Sequence, residues 1–181
     1  MRRSRESGIS LLEVLITISI LSFGVMGVAS MQTSAISNTH LSAQYSQAAL
    51  FAQNIAEGMQ ANSVAAIGGL YRTTADSDSL QPAENCSANA CTPSQRAAWD
   101  IARWRSMLSE SDKALPAGDS AKAFSGLAGG KFSIDCHEAC GADSIHVVTI
   151  YWDARRNGAS GTGCDDKSPS DLTCFHLAYT L

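Results

Sequence analysis

The sequence predicts an α+β protein: one long N-terminal helix packed on a small globular head that carries a second helix and an antiparallel sheet. Three observations lead there. From Val14 to Ala56 there is no Asp, Glu, Lys or Arg, whereas the remainder is normally polar. Leu41, Tyr45, Ala48, Ala52, Ile55 and Met59 recur at alternating spacings of four and three, the seam of an amphipathic helix. Lys131–Cys136, Ser144–Trp152 and Leu172–Leu181 are rich in Val, Ile, Thr and aromatic residues, as strands are. The 181 residues suffice for one domain of ordinary size. With 13 basic against 17 acidic residues and a net charge of −4, the chain lacks the basic face that nucleic-acid binding requires.

Each element follows in order. Arg2, Arg3 and Arg5 precede Gly8, after which an apolar run extends from Ile9 to about Ala29, broken only by Glu13. As a helix that run measures about 31 Å, close to the ~30 Å hydrocarbon core of a bilayer. A plain secretory signal, with Val28-Ala29-Ser30 as its cleavage site, is one reading of this region. Its apolar core, however, would exceed the usual 7–15 residues or so, and a carboxylate inside it costs about 2–3 kcal/mol at mid-bilayer. No positive charge follows the arginines until Arg72, so the N-terminus should stay cytoplasmic and the rest should cross. The helix is expected to continue to about Ala66 and stop at Gly68-Gly69. Gly24 and Gly27 inside it read either as a close-packing face or, preferably, as a soft point.

Leu70 to Thr92 reads as loop. Thr92-Pro93-Ser94-Gln95 then opens a second helix as a capping box with proline in first position, and its apolar face is Ala97, Ile101, Trp104 and Leu108. Leu115-Pro116-Ala117-Gly118 breaks the chain before the strands.

The start of the chain, with its arginine-rich leader, Gly8 and Ile9-Ser10-Leu11-Leu12-Glu13, resembles the class III signal of type IV pilins and pseudopilins. The resemblance implies a pilin-like fold, cleavage by the prepilin peptidase between Gly8 and Ile9, and N-methylation of Ile9. It makes Glu13 the fifth residue of the processed chain and the assembly acid. Pairing that carboxylate with a neighbour's new α-amine would relieve two groups that hydrocarbon penalises. The implied organisation is a leader over 1–8, a transmembrane and filament-core helix over 9–30, an amphipathic half over 31–67 and a disulfide-stabilised periplasmic head over 68–181.

Leu21 to Gln32, Cys91-Thr92-Pro93, Trp99-Asp100, Trp104 and Leu115 to Gly118 are similar to the PilV group of minor pilins, as are the stretches Gly126 to Phe132 and Val148 to Trp152. That group implies a low-abundance subunit. It would join other minor pilins and the major pilin, use the inner-membrane assembly platform, prime assembly and sit at the pilus tip, with a tip adhesin as a further candidate partner. Cell adhesion and twitching motility are the associated processes. The alternative is a minor pseudopilin of a type II secretion system, which shares the N-terminal signal. On either reading the chain is a substrate of the prepilin peptidase and not an enzyme.

All six cysteines, Cys86, Cys91, Cys136, Cys140, Cys164 and Cys174, lie in the predicted head. Six cysteines allow fifteen connectivities and the sequence does not choose among them. Pairing of neighbours is the simplest, and a Cys164–Cys174 pair resembles the disulfide-bounded C-terminal loop of pilins. A metal site at Cys136-His137 with Cys140 is disfavoured against disulfides in an oxidising compartment, so no metal or cofactor is expected. Asp76-Ser77-Asp78 begins like a calcium loop but lacks its glycine and its final glutamate. Asp165, Asp166 and Asp171 read as a solvated acidic loop. Gly158 to Gly163 reads as a surface turn, since it lacks the Lys-Ser/Thr ending of a phosphate cradle. His40, His137, His146 and His176 are scattered, and no catalytic set can be assembled.

Overall fold

The computed structural model describes residues 10–77, 84–108, 126–165 and 167–181. Gly8, Ile9, Asp78, Pro82, Leu115 to Gly118 and Asp166 lie outside those residues. The element order is α1 (Leu11–Ala61), α2 (Ser63–Ile67), α3 (Pro93–Leu108), β1 (Lys131–Cys136), β2 (Ile145–Trp152) and β3 (Thr173–Thr180). This is an α+β, pilin-like fold with a long apolar helix ahead of a small head. Two compact units divide it, one through Ser42 and one from Ala43 onward.

In the first unit α1 carries no buried residue, and its large apolar side chains are exposed throughout. It passes through Gly24 and Gly27 without a break. A Cβ added at either glycine would meet nothing within 4 Å.

The second unit is built on the remainder of α1. Ala48, Phe51, Ala52, Ile55, Ala56 and Met59 are buried there. The expected seam is corrected at its upper end: Leu41 and Tyr45 remain 41% and 36% exposed, while Phe51 and Ala56 join the core. A strict seven-residue seam drifts from a straight 3.6-residue helix, and a core-facing stripe spans about 100° instead of a line. Polar residues off the seam also bear on the head. The Trp152 indole donates to Gln44 Oε1 at 3.2 Å. At Gly58 a Cβ would stand 2.6 Å from Trp104 Cζ2, so the absent side chain lets that ring lie on the helix.

The long helix is also corrected at its lower end. It stops at Ala61, because Asn62 takes a non-helical backbone (φ −126°, ψ 52°) before α2 begins. The Asn62 amide donates instead to the Tyr71 hydroxyl (3.0 Å) and the Pro93 carbonyl (2.9 Å), tertiary bonds that no periodicity encodes. Gly68-Gly69 does end the helical region. Leu70 N–H bonds to Ala65 O and Gly69 N–H to Ala66 O, a Schellman closure with Gly69 at φ +71°.

α3 starts as its sequence directs. Thr92 N–H donates to Gln95 Oε1 at 2.9 Å, and Gln95 N–H donates to Thr92 Oγ1 at 3.4 Å. Within α3, Asp100 accepts from the Tyr71 hydroxyl (2.8 Å) and from Arg96 Nε (3.1 Å). Burial pushes the Asp100 carboxyl up, against the lowering pull of Tyr71 and Arg96. Burial likewise holds the Tyr71 hydroxyl above its ordinary range.

The sheet is an antiparallel meander in the order β1-β2-β3. The register aligns Phe132 with Ile150, Ile134 with Val148 and Cys136 with His146, then Ile150 with Phe175, Val148 with Leu177 and His146 with Tyr179. These residues form the core-facing row, closed by Trp152, Trp104 and Tyr71.

Candidate assembly site

Ser10 opens α1. Its Oγ accepts from Leu12 N–H at 3.3 Å, and its carbonyl accepts from Glu13 N–H at 3.0 Å. Sequence reasoning missed this start signal, although a serine three residues before a glutamate is the familiar helix opening. Glu13 therefore falls in the first turn, where the helix dipole favours a negative charge.

Around Glu13 the surface is almost wholly apolar: Leu11 is 89% exposed, and Leu12, Leu15, Ile20 and Leu21 stand out beside it. Four hydroxyls along this part of α1 do not oppose a lipid setting, since each of them is satisfied by its own helix. Thr17 donates to Val14 O (2.8 Å), Ser19 to Leu15 O (2.9 Å), Ser22 to Ile18 O (2.8 Å) and Thr33 to Ala29 O (3.1 Å). Glu13 alone is different. Among the described residues its carboxylate meets no cation. The arrangement is a helix long and apolar enough to cross a membrane, with one carboxylate in its apolar first half that meets no cation among the described residues.

The head holds three disulfides: Cys86–Cys91, Cys136–Cys140 and Cys164–Cys174, with Cα–Cα distances of 5.6, 5.3 and 5.5 Å. Sulfurs joined to each other do not offer thiolates. The histidine near Cys136 and Cys140 is the buried His146, whose ring nitrogen lies within 4.8 Å of their sulfurs. His137, the neighbour in sequence, is exposed. His40 is exposed on α1, and His176 Nδ1 lies 2.9 Å from Thr149 Oγ1.

The glycine-rich turn is occupied from within. Asn157 N–H (3.2 Å) and Gly158 N–H (2.8 Å) donate to the buried Asp153 carboxylate, so the chain's own acid fills the concavity that a phosphate would need. Burial alone would raise the Asp153 carboxyl; the backbone N–H groups of Gly158, Asn157, Arg156 and Ala159 outweigh it and hold the group below its usual value. The same turn is stitched to the Cys164–Cys174 loop, with Ser160 and Gly161 N–H donating to Ser170 O. Asp165 accepts from Lys167 N–H at 2.9 Å and Asp171 packs against Gly161 and Gly163, as parts of loop geometry.

A helix long and apolar enough to cross a membrane, followed by a disulfide-bonded α+β head, is a pilin-like arrangement. Two family models match the chain: the prokaryotic N-terminal methylation motif over residues 3–29, and the type IV pilin Tt1218 model over residues 30–102. Over those residues the chain is similar to type IV pilins and to the N-terminal methylation motif of their class III signal. No curated protein and no solved structure matches it.

Proposed function

We propose that this chain is a minor subunit of the PilV group, which joins other minor pilins at the inner membrane, primes pilus assembly and stays at the tip. The observation that carries the reading is the pairing of a class III signal, and of a Glu13 that meets no cation among the described residues, with the PilV-like stretches Leu21 to Gln32, Cys91-Thr92-Pro93 and Trp99 to Trp104. In this reading prepilin peptidase cuts between Gly8 and Ile9, Ile9 is methylated, and Glu13 neutralises the new α-amine of a neighbouring chain. The head is periplasmic until the filament carries it to the cell surface.

The mechanism is electrostatic and needs no cofactor. A carboxylate and an ammonium each resist hydrocarbon, and docking one on the other removes much of that resistance. Only helices in parallel and near register can make the contact, so the penalty selects the assembled geometry. Deletion of the gene is expected to reduce piliation and leave protein secretion intact. Lost secretion with normal pili would instead assign the chain to a type II secretion pseudopilus.

A further inference from the structure

Asn157-Gly158 is the chain's sole Asn-Gly pair, and both residues are exposed. That dipeptide carries a reactivity of its own. The Gly158 nitrogen can lose its proton to hydroxide and attack the Asn157 side-chain carbonyl carbon. The bond from that carbon to Nδ2 then breaks, ammonia leaves with a proton taken from water, and a five-membered succinimide remains. Water opens the ring at either carbonyl and leaves aspartate or isoaspartate where asparagine stood. Glycine favours the closure because it has no side chain to obstruct the attack.

The turn is built on both residues of the pair. Gly158 has φ +83°, a conformation that favours glycine. The Asn157 amide is used at both ends: Nδ2 donates to the Pro169 carbonyl (2.9 Å), and Oδ1 accepts from Ala159 N–H (3.2 Å). The Ala159 contact draws electron density from the carbon under attack, so the electrophile is already polarised. The nucleophile is treated in the opposite way. Gly158 N–H donates to Asp153 Oδ2 at 2.8 Å, and Asn157 N–H donates to Oδ1 of the same carboxylate at 3.2 Å. Asp153 is 7% exposed, directly follows β2, and is fastened to the head by its own N–H, which donates to Ala128 O at 2.8 Å.

Two effects oppose the attack. The Gly158 nitrogen must first leave a charge-assisted hydrogen bond, and losing its proton there would set a second negative charge at hydrogen-bond distance from the carboxylate. We infer that Asn157-Gly158 is a self-modification site held shut by Asp153: asparagine persists while the carboxylate keeps the Gly158 N–H, and converts once that contact is lost. Conversion adds a negative charge beside Asp153 and, as isoaspartate, a methylene to the backbone, so it marks irreversibly a head whose turn has opened. The loop between Cys164 and Cys174 supplies the Pro169 and Ser170 carbonyls that brace the turn. The inference goes beyond the minor-pilin reading and does not rest on it.

The full chain in detergent micelles is incubated at mildly alkaline pH, and the peptide carrying Asn157-Gly158 is followed by mass for replacement of NH2 by OH. The native chain is expected to convert about tenfold to a hundredfold more slowly than the same chain in denaturant, the worth of one charge-assisted hydrogen bond. Asp153→Ala should bring the native rate most of the way to the denatured one. Asp153→Asn, which keeps an acceptor oxygen without the charge, should fall between. Asn62-Ser63 in the same head is the internal reference, since general unfolding would speed its conversion as well. A native chain that converts as fast as the denatured one would overturn the inference. So would an Asp153→Ala chain slower than wild type, which would make the carboxylate a base that assists the attack. An Asn157 rate that rises only in step with that of Asn62 would overturn it too, because the protection would then belong to the fold at large.

Discussion

At the scale of single residues, three positions hold properties that their neighbours cannot replace. Glu13 is the only Asp, Glu, Lys or Arg between Ile9 and Ala56, and among the described residues it meets no cation on its apolar surface. Glu13→Ala should insert in the membrane at wild-type levels and be depleted from sheared filaments; normal incorporation would remove its assembly role. Gly58 is fixed by contact, because a methyl group there would overlap the Trp104 ring. Gly58→Ala gains about 1 kcal/mol of helix propensity but forces a repacking that costs about 1–3 kcal/mol, so the melting temperature should fall by a few degrees. Gly58→Val should fall further, and Trp104→Phe in the same chain should recover part of the loss, which a double-mutant cycle would show. Asp153 governs the acid limb. Its folded carboxyl titrates below the unfolded one, so its contribution is fully present above the ordinary carboxylate range and is lost as pH falls through the lowered value. Asp153→Asn should therefore narrow the gap between melting temperatures at neutral and acid pH.

At the scale of elements, local chemistry announced itself and tertiary contact did not. The α3 start was legible because Thr92, Pro93 and Gln95 satisfy helix donors by themselves, and Lys131–Cys136 matched β1 because β-branched and aromatic residues suit a half-buried pleat. The α1 stop was not legible: Asn62 leaves the helix to bond Tyr71 and Pro93, one of them 31 residues away. Phe51 was missed for a related reason, since which side of a helix meets a sheet depends on the sheet. The N-terminal signal was readable from residue types, whereas the Asp153 turn could not be read from its glycines. Disulfides belong to this scale too. In the chain-entropy account the longer Cys164–Cys174 loop constrains the unfolded chain more than the two short ones, by about 3 against about 2 kcal/mol. Serine pairs at 164 and 174 should thus lower the melting temperature more than pairs at 86 and 91. An equal loss would place the stabilisation in native packing instead.

At the scale of the whole molecule, the two units have opposite requirements. The unit from Ala43 onward buries its own aromatic core, while the described residues of the unit through Ser42 are all exposed, with Leu, Ile, Val, Phe and Met among them. Such a helix needs lipid, other helices or both, and on the proposed reading the leader decides how it passes from one to the other. Cleavage between Gly8 and Ile9 would remove three arginines and one glutamate, taking the formal charge from −4 to −6. On the proposed reading the arginines would hold the N-terminus on the cytoplasmic side before cleavage, and afterwards a single α-amine would remain, small enough to meet Glu13 of an adjoining chain. Gly8→Val should block the cut. The expected result is a chain that keeps its arginines by mass, stays in the inner membrane with its head outside, and is absent from sheared filaments. Wild-type chains should instead begin at a methylated Ile9. If the uncut variant entered filaments as well as the wild type, the charge pairing could not be what draws these helices together, and the apolar surface alone would have to account for assembly.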